Sequence, residues 1–214
     1  MNPRAPEFAR AVDRQLNRER RRSATRPNRF ADTAAKWLLD GAAARTDLKL
    51  EALDLRDYKL PFFNEPAPPA YTGGVFTEPQ AEAWRKRIGE FDGFIVTVAE
   101  YNHGPTAVLK NAFDGASLEW QRKPIAFVGY GGVGAARAIE TLRGVVIELQ
   151  MAPIKQEVNI GMEPYLGIVQ KGAALNDYEY LVQSRTAMFD HLVWWGMALK
   201  AARETEGAKS AQAA

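Results

Sequence analysis

Two nearly continuous apolar runs constrain the fold of this chain more than any other feature. They read GFIVTVA at 93–99 and KPIAFVGYGG at 123–132, and a helical pattern follows each of them. Strands that are buried on both faces of a parallel sheet have this composition, because helices cover both faces of such a sheet. The alternation of such runs with amphipathic helices predicts an α/β fold with a parallel sheet between two helical layers.

The rest of the chain continues this alternation. The terminal helix carries more apolar residues than one face needs, which favours packing on the sheet and on a neighbouring subunit. Helices are predicted at 30–44, 78–90, 106–118, 135–150 and 174–203, further strands at 48–55 and 151–160, and loops at 60–74 and between 160 and 174.

Composition excludes several classes of protein. The chain has 214 residues, of which 46% are hydrophobic and 25% charged, and this suits one soluble domain with a full core. A net charge of +2 is too small for a surface that binds polyanions throughout. The absence of cysteine excludes disulfides and thiolate metal sites and favours a cytoplasmic location. No apolar run approaches the roughly 20 residues of a membrane span, so we expect no membrane association.

The N-terminal segment, residues 1–24, is atypical because it is rich in arginine, with a basic cluster at Arg18–Arg22. Its weak apolar stripe permits a short helix, and nothing in it resembles a buried strand. The two interpretations of this segment are a solvated arm and an arm that binds nucleic acid. Since no aromatic residues are interleaved with the arginines of this cluster, we do not expect nucleic acid to bind. The last residues, 205–214, are expected to form a flexible tail.

A polar loop, EYNHG at 100–104, follows the first apolar run. Tyr101 or His103 can supply an aromatic wall to a flat heterocycle, and Asn102 adds an amide with donor and acceptor groups. The same loop also fits a plain turn before the next helix, with His103 on the surface and Glu100 as a helix-start carboxylate. The residues alone leave both interpretations open.

A glycine loop, YGGVGAAR at 130–137, follows the second run. It does not match the dinucleotide fingerprint G-x-G-x-x-G. Gly131 and Gly132 either let the backbone approach a flat ring after Tyr130 or form a tight strand-to-helix turn. Because parallel strands end at the same edge of a sheet, this loop and EYNHG are expected to meet at one ligand-binding edge.

A third segment, SATRPNRFADT at 23–33, combines hydroxyl, amide and arginine side chains before a predicted helix. Such a segment can cradle a phosphate at the positive end of the helix. The alternative is an exposed basic segment in which Thr25 or Asn28 is an ordinary helix cap.

Taken in their order along the chain, these segments resemble the NADPH-dependent FMN reductase family, a flavodoxin-like group that includes chromate, quinone and azo-dye reductases. The resemblance runs from about Thr25 to Ile160. It rests on TRPNRF, the LPFFNEPAPP loop, EYNHGPTAVLKNAFD, KPIAFVGYGGVGAARAIETLR and the following L-x-M-x-P-I. It implies a flavodoxin-like three-layer sandwich over residues 25–204.

The resemblance also implies how the segments would divide an FMN molecule. The segment SATRPNRFADT would hold the phosphate, EYNHG would border the isoalloxazine ring, and YGGVGAAR would lie along the pyrimidine edge of that ring. No catalytic side chain and no metal are implied. The residues concerned are Thr25, Arg26, Asn28 and Phe30 for the phosphate, Glu100, Tyr101, Asn102 and His103 in EYNHG, and Tyr130, Gly131 and Gly132 in YGGVGAAR.

The sequence departs from the family pattern before Thr25. The family has an apolar first strand there, central in a sheet of order 2-1-3-4-5, whereas this chain has QLNRERRRSA at 15–24. Mid-sheet arginines are costly to bury. We therefore expect the first strand to be degraded or missing because of an altered reading frame or start. The less favoured alternative is that another segment or a partner fills the gap in the sheet. Gly129 also stands where the family has serine.

The implied function is an FMN-dependent NAD(P)H oxidoreductase that reduces quinones, azo dyes, metal oxyanions or free flavin. NADPH or NADH would be the electron donor, and a homodimer or homotetramer is expected. The alternatives are a non-catalytic flavin or electron carrier, and a variant whose FMN binding is impaired by loss of the first strand.

Overall fold

The computed structural model describes residues 7–10 and 29–212. In this part of the chain a mixed sheet of seven strands is packed between helices on both faces. The strands are β1 (Glu7–Arg10), β2 (Lys49–Ala52), β3 (Gly93–Tyr101), β4 (Gly104–Pro105), β5 (Pro124–Tyr130), β6 (Ala152–Pro153) and β7 (Val158–Ile160).

The strand order is β2-β1-β3-β5-β6, and β7 pairs with the other end of β5. All these pairs are parallel, while the two-residue β4 runs antiparallel to β3. Because β6 and β7 together occupy the position beside β5, the sheet has the order 2-1-3-4-5 of the flavodoxin-like fold. The expected fold class is confirmed.

The expectation that the first, central strand is missing is wrong. Residues Glu7–Arg10 lie between β2 and β3, with Phe8 opposite both Leu50 and Gly93. The strand that pairs here is EFAR and not the arginine-rich stretch, so the less favoured alternative, in which another segment fills the gap, is the one observed. This segment lies upstream of residues 15–24, where the first strand was expected. Residues 15–24 themselves lie outside the described residues.

The helices agree with prediction except at Leu55–Tyr58, where a short helix follows a strand that is shorter than the expected 48–55, and near the C-terminus. Residues 162–171, expected to lie in a loop, form a helix, and the terminal helix runs to Gln212 instead of ending near residue 203. The helices in the described ranges are α1 (Ala31–Ala42), α2 (Leu55–Tyr58), α3 (Pro79–Gly89), α4 (Ala107–Asp114), α5 (Ala136–Glu148), α6 (Met162–Lys171) and α7 (Glu179–Gln212).

Two hydrophobic cores lie on opposite faces of the sheet. Side chains alternate along β5, so that Val128 enters one core and Phe127 the other. The first core takes its apolar side chains from α1 and α7, and the second takes them from α3, α4 and α5. This two-sided burial explains why β3 and β5 are apolar almost without interruption.

None of the helices in the described ranges combines the length and apolarity needed to cross a membrane.

One ionisable side chain is buried at the end of the sheet where β3 and β5 begin. Lys123 is 7% exposed, and its Nζ donates to the carbonyl oxygens of Ile88 at 3.1 Å and Gly89 at 3.3 Å. These carbonyls belong to the last turn of α3, where a cation is favourable. Burial nevertheless lowers the pKa of Lys123 to about 8, because desolvation disfavours the charged form.

We predict that Lys123→Met removes a pH dependence of stability. Between pH 8 and 10.5 the unfolded lysine is still protonated while the folded one has lost its proton, so raising the pH stabilises the native protein. Chemical denaturation across this window should show the wild-type free energy of unfolding rising relative to the variant, by on the order of 3 kcal/mol. Parallel curves for the two proteins would contradict this assignment.

Candidate active site

The two loops highlighted by the sequence begin side by side. β3 and β5 are paired from Phe94 with Ile125 to Ala99 with Tyr130. Each loop therefore leaves the sheet at the same level of its carboxyl edge. The prediction that these sequence-distant turns meet at one edge is confirmed.

The loop after β3 is a tight hairpin. Tyr101 pairs with Gly104, and the two residues between them, Asn102 and His103, have φ angles of 50° and 66°. Two left-handed residues between antiparallel strands are characteristic of a type I′ turn, for which asparagine is well suited. The next helix is capped by Thr106, whose side chain accepts from the Leu109 N–H, so neither turn residue is its cap.

The Glu100 side chain binds the first turn of α5. Its carboxylate accepts hydrogen bonds from the backbone N–H groups of Arg137 at 3.2 Å and Ala138 at 3.4 Å, and it forms an ion pair with the Arg137 guanidinium. Burial pushes the pKa of Glu100 upward, but these partners outweigh burial and hold it below its usual value. The geometry favours the helix-start role for Glu100 over a direct contact with a ligand.

The glycine loop after β5 depends on backbone contacts that exclude a side chain. Gly131 has a φ of 118°, and its N–H donates to the Ile160 carbonyl at 3.1 Å. A Cβ at Gly129 would overlap the carbonyl oxygen of Gly134, which also accepts from the Asn159 side chain at 3.1 Å. The loop folds back onto its own strand, so position 129 has no room for a side chain unless the Gly134 carbonyl moves.

Aromatic rings support this edge from within the first core. The ring of Phe30 lies 5.3 Å from that of Tyr130 and 5.0 Å from that of Tyr165, on α6. Phe30 and Tyr130 are each only 7% exposed. Their rings therefore support the loops and leave the open surface to Tyr101, which is 40% exposed.

Sequence reasoning missed a buried ion pair beside the same edge. The Arg29 guanidinium donates to Asp54 Oδ2 at 3.2 Å, and both side chains are buried. Asp54 also accepts from the Arg56 N–H at 3.0 Å and so caps α2. Burial raises the pKa of Asp54. No sequence spacing connects Asp54 with an arginine 25 residues away, so this pair could not be predicted.

The expected phosphate-binding residues Thr25, Arg26 and Asn28 lie outside the described residues. Their role stays a prediction. Arg29 and Phe30 are the first described residues after them, and both are held firmly, by Asp54 and by the aromatic rings.

Comparison with known families agrees with this geometry. The model of the NADPH-dependent FMN reductase family matches residues 23–164. The chain belongs to this family. The match includes the hairpin, the glycine loop and the first turn of α6, while β1 lies before it.

Individual relatives carry related names. The chain is 34% identical over 130 residues to an NAD(P)H-dependent FMN reductase of Schizosaccharomyces pombe, covering 60% of this chain and 65% of that one. It is 37% identical over 83 residues to a 2-hydroxy-1,4-benzoquinone reductase of a Burkholderia species, covering 36% of this chain and 45% of that one. The chain thus spans about half to two thirds of the length of these relatives.

Solved structures confirm the fold. The flavoenzyme FerB of Paracoccus denitrificans, an NAD(P)H:(acceptor) oxidoreductase, superimposes with a TM-score of 0.66 at 20% identity, covering 90% of this chain and 98% of that one. The apo form of an NADH:FMN oxidoreductase gives a TM-score of 0.59 at 14% identity, covering 88% and 89%.

We predict that Gly129→Ala destabilises the protein by about 1–3 kcal/mol, because the added methyl group forces the Gly134 carbonyl away from β5. Gly144→Ala is the matched control. This glycine lies in α5 with open space where an alanine methyl group would stand, so alanine should stabilise the helix by about 0.5–1 kcal/mol. Thermal unfolding of both variants tests the contrast, and equal shifts of Tm would contradict it.

Proposed function

We propose that this chain is an FMN-dependent NAD(P)H oxidoreductase. The observation that carries the proposal is the pairing of β3 with β5, which brings the Tyr101 hairpin and the Gly131 loop to one edge of the sheet. Membership of the NADPH-dependent FMN reductase family supports the identity of the cofactor.

The residues at this edge fit a flat, polar-edged ring. Apart from its chain neighbours, no described residue places an atom within 4 Å of where a Cβ on Gly131 would stand, so the backbone here is open to a ligand. The hairpin offers the half-exposed Tyr101 ring beside the polar groups of Asn102 and His103. We infer that Tyr101, Asn102, His103, Gly131 and Gly132 hold the ring.

The remaining predicted site residues either bind the phosphate or support the loops from within the protein. Thr25, Arg26 and Asn28 would bind the phosphate at the start of α1. Phe30 and Tyr130 support the two loops, and Glu100 fixes the first turn of α5. When bound, FMN supplies the redox chemistry, accepting hydride from NADPH or NADH and passing reducing equivalents to an acceptor. The protein binds, orients and shields the ring.

Quinones are the acceptors that we favour, since one relative is named a 2-hydroxy-1,4-benzoquinone reductase and another an NAD(P)H:quinone oxidoreductase. Azo dyes, metal oxyanions and free flavin stay within the proposed range. A non-catalytic flavin carrier and a variant with impaired FMN binding are the outcomes against which the proposal is tested.

We also propose that the protein is a homodimer or homotetramer in the cytoplasm. Along α7, Phe189 and Leu192 are buried in the first core, whereas Trp194 is 64% exposed and Met197 51% exposed. The rings of Trp194 and Trp195 pack together at 5.3 Å on the outer side of the helix. Exposed aromatic and apolar groups of this kind suit contact with a second subunit.

The proposal predicts that purified protein acquires the absorbance spectrum of a bound flavin when FMN is added, and that it then oxidises NADPH in steady state with menadione as acceptor. Flavin binding without turnover would identify a carrier. A preparation that stays colourless with FMN would contradict the proposal altogether.

At the residue level, Tyr101→Ala should weaken FMN binding by up to about tenfold, since an aromatic contact contributes about 0.5–1.5 kcal/mol beyond its buried area. The fold should be preserved because Tyr101 is 40% exposed. Tyr71→Ala is the matched control, since it removes a tyrosine ring that is 85% exposed and lies outside the proposed site. Titration with FMN, followed by fluorescence, measures both; an unchanged affinity in Tyr101→Ala would remove Tyr101 from the site.

A further inference from the structure

A groove of about 300 Å³ lies between α2 and α4, beside the Tyr101 hairpin. Both helices follow strands at the carboxyl edge of the sheet, α2 after β2 and α4 after the hairpin. Ala107 and Val108 line it and lie only a few residues beyond Gly104. The groove therefore opens next to the edge where we propose that the flavin binds.

The groove carries positive charge that the protein only partly balances. Arg56 and Lys59 both line it. Arg56 Nε is buried and has no hydrogen-bond acceptor in the described part of the chain; it lies 3.8 Å from Asp54 Oδ1. Asp54 is meanwhile engaged by Arg29 at 3.2 Å, so one carboxylate serves two guanidinium groups. Within the described residues Lys59 forms no ion pair.

The other walls are mainly apolar. Leu55, Leu60 and Val108 line the groove, and Phe62 stands at its rim with 80% of its surface exposed. The Asn111 side chain bonds to the Pro61 carbonyl at 2.7 Å and to the Phe63 N–H at 3.2 Å, and so fixes the loop that carries this ring. An aromatic ring beside cations suits a ligand that joins a heterocycle to an anionic group.

We propose that this groove binds the 2′-phosphoadenosine end of NADPH, with Arg56 and Lys59 on the 2′-phosphate and Phe62 against the adenine. Guanidinium groups bind phosphate through paired, charge-assisted hydrogen bonds, and an ammonium group adds a point charge. NADH lacks this phosphate and gains nothing from the two cations, so the groove selects NADPH. This inference rests on the proposed function, because a nicotinamide must reach the flavin.

The test uses two charge-removing variants, Arg56→Gln and Lys59→Asn. Asparagine is chosen at 59 because this residue has a φ of 43°, a left-handed conformation that asparagine tolerates. Lys155→Gln is the matched control, since Lys155 is exposed in the loop between β6 and β7, on the side of the sheet away from β2. Circular dichroism establishes that each variant is folded.

Two readouts are measured on the full chain. Calorimetry gives the affinities for 2′,5′-ADP and for 5′-AMP, which differ in the 2′-phosphate. Steady-state kinetics with menadione gives KM and kcat for NADPH and for NADH. Each groove variant should weaken 2′,5′-ADP binding about tenfold and raise the KM for NADPH about tenfold, while 5′-AMP binding, the KM for NADH and kcat stay the same. Lys155→Gln should match the wild type.

Failure of this inference is distinguishable from failure of the proposed function. If NADPH is oxidised but the variants alter neither 2′,5′-ADP binding nor the preference for NADPH over NADH, the groove assignment is wrong and the proposed oxidoreductase function is retained. If 2′,5′-ADP binding needs Arg56 and Lys59 but no flavin-dependent turnover occurs, the groove assignment stands and the reductase falls. If the variants instead convert an oligomer to a monomer on gel filtration, a second copy of the chain occupies the groove and the inference is wrong.

Discussion

The parallel pairing of β3 with β5 is the constraint on which the rest of this structure depends. Six successive residue pairs fix the register, and both strands are buried on both faces. A shift of one residue would exchange the contents of the two cores, so the register is strongly specified. Because of this pairing, two loops separated by almost thirty residues leave the sheet side by side.

The shape of each loop is then set by a few local restrictions. The hairpin needs left-handed backbone at Asn102 and His103, and the glycine loop needs a positive φ at Gly131. Glu100 ties the two together, since it belongs to β3 but binds the N-terminal N–H groups of α5, which follows the glycine loop. A polar residue at the end of an apolar strand thus couples the two halves of the proposed flavin site.

The sequence predicted the features that depend on local pattern. β3, β5, the helices after them and the meeting of their loops were all visible as apolar runs, helical periodicity and glycine positions. The helix α6 was not, because Pro164 and Gly167 look like helix breakers. Pro164 is tolerated in the first turn, where its missing N–H is not needed, and Gly167 leaves room for the Tyr178 hydroxyl, which a Cβ at this position would overlap.

Features that depend on long-range pairing could not be predicted. β1 lacks an apolar pattern, and its position emerges only from backbone pairing with β2 and β3. The segment 151–160 was expected to be one strand, but it splits into β6 and β7, which pair with opposite ends of β5. The Arg29–Asp54 ion pair and the groove beside Arg56 likewise join residues that no sequence spacing connects.

Amide hydrogen exchange with and without FMN tests the central claim most directly, namely that the two loops form one site. The account predicts that FMN slows exchange together in residues 101–104 and 131–134, while the connection between α1 and β2 at 43–48, which lies at the opposite end of the sheet, is unaffected. Protection of only one of the two loops, or of neither when FMN is bound, would contradict it.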